Sequence, residues 1–212
     1  MMKTTDKNSF RAPALLSALF LLLAFFSLPA SAGNGPVRRQ RFFIAAAAGY
    51  FYPQQGLFRK IYDKPAWPVE LQLGWNLNRK MSVFGAARYL QTSGNSLLLA
   101  AQQPEETYAL RWRALTMRLG MNYWLWPSRF TPFLGAGVSA SFYQEQWLDA
   151  PLAVAGKKAG FFAQAGGRYR LGRSWHALAQ LEYSSVPAGS GAQGKVNLGG
   201  LNLSLGLMAG IL

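Results

Sequence analysis

The sequence predicts an all-β protein, an eight-stranded antiparallel up-and-down transmembrane β-barrel. Three observations predict it: a two-sided final strand, eight alternating segments, and low charge without a long apolar helix. From Leu201 to Ile211 the odd-numbered residues are all apolar, whereas most even-numbered ones are small or polar. A strand of this kind suits a wall with lipid on one side and a packed interior on the other.

The composition supports a chain in lipid. Half of the 212 residues are hydrophobic and only 14% are charged, whereas soluble domains average about 25% charged residues. After Ala32 no apolar run reaches the length of about 20 residues that a membrane-spanning helix needs. Because lipid offers no hydrogen bonds to an open strand edge, a closed barrel is the alternative that remains for spanning.

The first 32 residues predict a cleaved secretory signal peptide. Basic residues Lys3, Lys7 and Arg11 precede an apolar stretch at 12–28, and the small triplet Ala30-Ser31-Ala32 follows. We predict cleavage after Ala32, a periplasmic segment at 33–40, and the barrel at 41–212. An uncleaved membrane anchor is the alternative. The sequence contains no cysteine, so neither lipid attachment nor a disulfide is expected.

Turn signals and alternation divide the rest of the chain into eight predicted strands. They are residues 41–53, 66–78, 81–91, 108–126, 130–147, 159–171, 175–185 and 195–212, the last with a bulge at Gly199-Gly200. The connections alternate between about three residues and the longer stretches 54–65, 92–107, 148–158 and 186–194. Short periplasmic turns and long outer loops are the asymmetry expected of an outer-membrane barrel.

Seven polar residues fall on inward-facing positions and predict a network in the lumen. They are Glu70, Arg88, Arg118, Gln164, Arg168, Arg170 and Glu182. Charges inside a narrow barrel must be paired or hydrated, so we expect Glu70 and Glu182 to bridge the arginines. The network fills a closed lumen. The alternative is a small gated pore with weak anion preference, since four arginines face two carboxylates.

The formal net charge of +14 calls for an anionic partner. Export excludes nucleic acid, so outer-membrane lipids and lipopolysaccharide are the expected partners, together with the outer-membrane assembly machinery. Four basic residues are candidate lipopolysaccharide contacts at the outer end: Arg111, Arg113, Arg59 and Lys60. We expect a monomer.

Three stretches carry a family resemblance. T-P-F-L-G-A-G-V-S (131–139), F-A-Q-A-G-G-R-Y-R-L (162–171) and L-G-G-L-N-L-S-L-G-L (198–207) resemble strands of the small outer-membrane β-barrels of OmpA/OmpX type. The resemblance covers nearly all of the chain after the signal. It implies an eight-stranded barrel of the cell outer membrane. We expect a structural or surface-interaction role, with no catalysis and no cofactor.

Catalytic chemistry has little support in the sequence. His176 is the only histidine, and without cysteine or a second histidine a metal site lacks ligands. A lipid-modifying outer-membrane enzyme is the second alternative. Lipid A deacylases on this fold carry a serine two residues after the histidine, whereas Ala177 and Leu178 follow here. A soluble periplasmic lipid-binding barrel is the remaining alternative.

Overall fold

The computed structural model describes residues 41–62, 66–100, 103–126, 128–148, 153–191 and 194–211. The predicted signal peptide and the segment 33–40 lie outside the described residues. The elements are β1 (Phe42–Pro53), α1 (Gly56–Ile61), β2 (Val69–Asn76), β3 (Met81–Ala100), β4 (Gln103–Trp124), β5 (Phe130–Trp147), β6 (Ala153–Arg170), β7 (Trp175–Ser185), β8 (Pro187–Gly191), β9 (Gly194–Asn197) and β10 (Gly200–Ile211).

Eight of these strands form a closed antiparallel barrel in the order β1-β10-β7-β6-β5-β4-β3-β2. Along the chain each barrel strand pairs with the next, and β10 pairs with β1 from Phe42↔Ile211 to Pro53↔Gly200. Closure satisfies the backbone groups of both terminal strands. The predicted fold class is therefore confirmed.

The structure corrects the predicted loops. The predicted loop 92–107 is mostly strand, because β3 runs on to Ala100 and β4 begins at Gln103. Likewise, β6 begins at Ala153 rather than at 159. Backbone hydrogen bonds extend a hairpin beyond the membrane without apolar alternation, and alternation was the signal used to place the strand ends. The predicted loop 54–65 contains α1.

The last barrel strand also begins later than predicted. β8 and β9 pair with each other as a separate two-stranded antiparallel sheet. The strand then starts at Gly200 instead of 195. A Cβ on Gly200 would lie 2.2 Å from the backbone oxygen of Tyr52, so the close approach of β1 requires glycine at this position.

The exterior of the barrel is apolar and the interior is not. On β10, Leu205 is 66% exposed, whereas its neighbours Asn202 and Ser204 are almost fully buried. Aromatic rings mark both ends of the apolar band. Phe42 stacks on Trp75 at the end with short turns, with ring centroids 6.0 Å apart, and Tyr50 meets Trp67 edge-on at the other end. This is the exterior of a membrane-spanning barrel.

Two apolar layers fill the lumen near its ends. Phe84, Trp124, Phe133 and Phe162 form the core of the layer toward the short-turn end. Leu90, Leu110 and Trp112 belong to the layer toward the long-loop end, which Tyr62 after α1 completes. The polar residues between these layers form the candidate site. Among the described residues, no helix is long and apolar enough to cross a membrane.

Candidate functional site

Four charged side chains meet at the centre of the lumen, and we call them the central cluster: Glu70 on β2, Arg88 on β3, Arg118 on β4 and Glu182 on β7. All four are buried. Arg88 donates from Nη1 and Nη2 to the two oxygens of Glu182, at 2.6 and 2.8 Å, and from Nε to Glu70 at 2.8 Å. This is the two-pronged geometry that makes arginine–carboxylate pairs strong.

Arg118 completes the cluster by pairing with both Glu70 and Glu182. Each carboxylate therefore contacts two guanidinium groups, and the four side chains are formally neutral together. The Arg118 guanidinium also lies 4.9 Å from the Phe162 ring centroid, a cation–π contact that joins the cluster to the apolar layer beside it. Gln180, on the inward face of β7, donates to Glu70 at 3.4 Å.

The other predicted members of the network lie elsewhere. Gln164 donates to Asn122 at 2.7 Å. The Arg168 guanidinium lies 4.0 Å from the centroid of the Trp124 ring, and Arg170 is exposed at the end of β6. Neither arginine forms an ion pair within the described part of the chain.

The expectation that Glu70 and Glu182 bridge all four arginines is therefore wrong for Arg168 and Arg170. The residue directly opposite Glu182 on β6 is Gln164. Arg168 follows four positions later, about 13 Å along the strand. Alternation assigned these arginines to the correct face, but the strand register separates them from the carboxylates.

A small cavity of about 40 Å³ lies against the central cluster. Arg88, Arg118 and Glu182 line it together with the hydroxyl groups of Ser139 and Ser141. Its volume has room for about three water molecules, and the charged and hydroxyl groups among its lining residues offer them partners. Trp112 and Phe51 line the cavity as well, and both belong to the long-loop apolar layer.

The connection between β1 and β2 that contains α1, which we call loop one, covers the lumen at this end. The Tyr62 hydroxyl donates to Glu145 on β5 at 2.7 Å, and Phe58 packs edge-on against Trp112 with ring centroids 5.1 Å apart. Burial, and then the Glu145 carboxylate, raise the pKa of Tyr62, so its hydroxyl stays protonated as a donor. A Cβ on Gly94 would lie 1.9 Å from the backbone oxygen of Ile61. Glycine at this position of β3 therefore leaves the space in which the loop backbone packs against the strand.

Loop one is also tied to the β8–β9 hairpin. The Asn197 side chain donates to Gln54 at 3.2 Å, and its backbone amide donates to Gln55 at 3.3 Å. Tyr183 donates to the same Gln54 oxygen. These bonds hold two connections together that are far apart in sequence. No sequence pattern indicated Tyr62, Glu145 or Asn197, whereas Gln180 shares the inward alternation of Glu182 and could have been predicted.

The candidate lipopolysaccharide contacts form two groups. Arg111 and Arg113 are half-buried on the outward face of β4, where they lie opposite Gln146 and Gln144 of β5. Arg59 and Lys60 are exposed in the last turn of α1. Arg59 donates to the Tyr52 hydroxyl and lies over its ring.

His176 lies on β7 directly opposite Arg170. Ala177 and Leu178 follow it, so position 178 does not carry the serine that lipid A deacylases have two residues after their histidine. The described residues contain no group of three His, Cys, Asp or Glu side chains that could hold a metal ion.

Comparisons with known proteins identify the fold. No protein-family model matches the sequence, and no curated protein sequence matches it. The structure is similar to Neisserial surface protein A, with a TM-score of 0.55 and 13% identity over 80% of this chain and 97% of that one. It is similar to the outer membrane protein OprG from Pseudomonas aeruginosa, with a TM-score of 0.58 and 14% identity over 82% of this chain and 97% of that one. The chain has the fold of the small eight-stranded outer-membrane β-barrels of OmpA/OmpX type.

Proposed function

We propose that the chain is an integral outer-membrane protein with a closed, charged lumen, that it acts structurally and through its outer surface, and that it catalyses no reaction. One observation carries the proposal: the central cluster is internally neutral and lies between two apolar layers. The fold and the apolar exterior support the membrane location.

The packing around the cluster supports a closed lumen. An ion in transit would have to pass the apolar layer at each end, where the apolar side chains of the layer cannot replace its hydration shell. The ion would also have to pull the two carboxylates of the central cluster away from the arginines that they contact, which would leave buried charges unpaired.

We therefore expect no conductance. The full chain reconstituted into planar bilayers should give no current steps above bare lipid at moderate voltage. The unboiled protein should at the same time migrate as a compact band in SDS, which shows that the barrel is folded. Reproducible unitary steps from folded protein would contradict the closed-lumen proposal.

A gated pore is the second candidate. The cavity favours it because water held there, beside the central cluster, would form part of a hydrated path for ions through the lumen. The central cluster gives no anion preference, since its two arginines and two carboxylates balance. If the pore exists, steps should appear only under conditions that open loop one, such as loss of the Tyr62–Glu145 hydrogen bond in Tyr62→Phe. Silence of this variant, with the barrel still folded, counts against the pore.

The surface role rests on Arg111 and Arg113. Both lie on the same outward face of β4 as the exposed residue Leu115, at the end of the strand beyond the apolar band. Gln91 and Gln144 flank Arg113 on the neighbouring strands. Guanidinium groups at headgroup level, beside amides that can donate hydrogen bonds, suit the phosphates of lipopolysaccharide.

Replacing both arginines tests this contact. We expect Arg111→Ala with Arg113→Ala to reduce the amount of lipopolysaccharide that co-purifies with the folded barrel, because two phosphate-pairing groups are lost. Arg79→Ala with Lys80→Ala removes the same charge from the β2–β3 turn at the opposite end and serves as the matched control. Equal lipopolysaccharide in all three proteins would refute a specific contact.

A further inference from the structure

Charge is distributed very unevenly between the two ends of the barrel. After residue 32 the acidic side chains are Asp63, Glu70, Glu105, Glu106, Glu145, Asp149 and Glu182. They belong either to the central cluster or, by their place in the sequence, to the long connections and the strand ends beside them. The short-turn end carries the basic residues Arg41, Arg79, Lys80, Arg129, Arg168, Arg170 and Arg173, and no aspartate or glutamate.

Three of the side chains at this end face inward together, and we call them the inner mouth: Arg168, Arg170 and His176. The two arginines are two residues apart on the inward face of β6, so their Cα atoms are about 7 Å apart. His176 on β7 is the direct cross-strand partner of Arg170. The Trp124 ring, which is almost fully buried, forms the floor beneath the Arg168 guanidinium at 4.0 Å.

Among the described residues, this arrangement leaves positive charge without an ion-pair partner where water is partly excluded. Arg168 is half-buried, and the charge of Arg170 repels both Arg168 and any positive charge on His176. By contrast, the more deeply buried arginines of the central cluster are each paired with two carboxylates. A partly desolvated cation without an anion is unfavourable, so the inner mouth should gain stability from a bound anion.

The geometry points to the chemical class of that anion. A guanidinium stacked on an aromatic face keeps its in-plane N–H groups free, and these match two oxygens of a phosphate. A second guanidinium and an imidazole beside it can contact the remaining oxygens. We propose that the inner mouth binds a phosphate-bearing anion, either free in solution or as the headgroup of a phospholipid at this end of the barrel.

Calorimetric titration of the detergent-folded full chain with inorganic phosphate, at constant ionic strength in chloride, tests the site. We expect saturable binding that Arg168→Gln with Arg170→Gln weakens by about tenfold or more, as loss of charge-assisted hydrogen bonds implies. The control Arg79→Gln with Lys80→Gln removes the same charge from a turn at the same end and should change the affinity less than about twofold. Equal weakening in both variants would mean diffuse charge attraction and would overturn the site.

A second experiment identifies the source of the phosphate. The same proteins are placed in phosphatidylcholine vesicles with and without phosphatidylglycerol, and the temperature at which the compact unboiled form is lost is measured. If phosphatidylglycerol stabilises the barrel only when Arg168 and Arg170 are present, and free phosphate does not bind, the ligand is a lipid headgroup. If free phosphate binds and phosphatidylglycerol does not stabilise the barrel, the ligand is a small anion. The absence of an effect in both experiments would overturn the proposal.

A third variant separates loss of the site from a folding defect. Because Arg168→Lys keeps the charge and loses the planar guanidinium, the protein should fold normally but bind phosphate weakly.

Discussion

Replacing Glu182 by glutamine should lower the free energy of unfolding by about 3–5 kcal/mol, because it leaves Arg88 and Arg118 to share a single carboxylate inside the barrel. The side chain keeps its size, so the effect isolates the charge. Urea unfolding in lipid bilayers, followed by tryptophan fluorescence, measures the loss. The matched control is Glu145→Gln, which removes a half-buried carboxylate near the lumen end. It should cost less than about 1 kcal/mol, because the glutamine oxygen can still accept the hydrogen bond from Tyr62 and only the charge on the acceptor is lost.

A double variant distinguishes pairing from simple loss of a side chain. Arg118→Gln with Glu182→Gln leaves Arg88 and Glu70 as a neutral pair held by their own hydrogen bond. It should be destabilised by less than the sum of the two single variants, with a coupling of about 0.5–3 kcal/mol. Strict additivity would mean that the cluster members do not interact in the folded barrel, contrary to the geometry.

Replacing Leu205 by arginine should cost about 2–4 kcal/mol, because this position lies midway along β10 and its side chain points outward at 66% exposure. In lipid, an outward arginine at the midplane must lose most of its hydration. The same unfolding experiment in bilayers measures the change.

Leu201→Arg is the matched control, since it makes the same substitution on the same face near the end of the strand. There the cost should be about 0–1 kcal/mol. A soluble barrel would tolerate both substitutions within about 0.5 kcal/mol. Equal and small effects at the two positions would therefore contradict the transmembrane barrel and support the alternative of a soluble lipid-binding barrel.

The sequence determined the wall of the barrel because a strand in a two-sided environment must alternate with a period of two. Alternation placed Leu205 on the outside and Glu182, Arg88 and Arg168 on the inside. It also predicted eight strands and three short turns, since lipid imposes an apolar face on each spanning segment. Where the strands leave the lipid this constraint ends, and the extents of β3, β4 and β6 were underestimated there.

Only the tertiary structure decided which inward residues meet. Alternation gives the face on which a side chain lies, whereas the height of that side chain in the lumen depends on the register between strands. Register brings Glu70, Arg88, Arg118 and Glu182 to one level and places Arg168 about four residues away. The Tyr62–Glu145 hydrogen bond joins residues 83 positions apart, and the loop that carries Tyr62 has no repeating pattern. Backbone closure and side-chain packing fix such contacts, because no local preference of the chain specifies them.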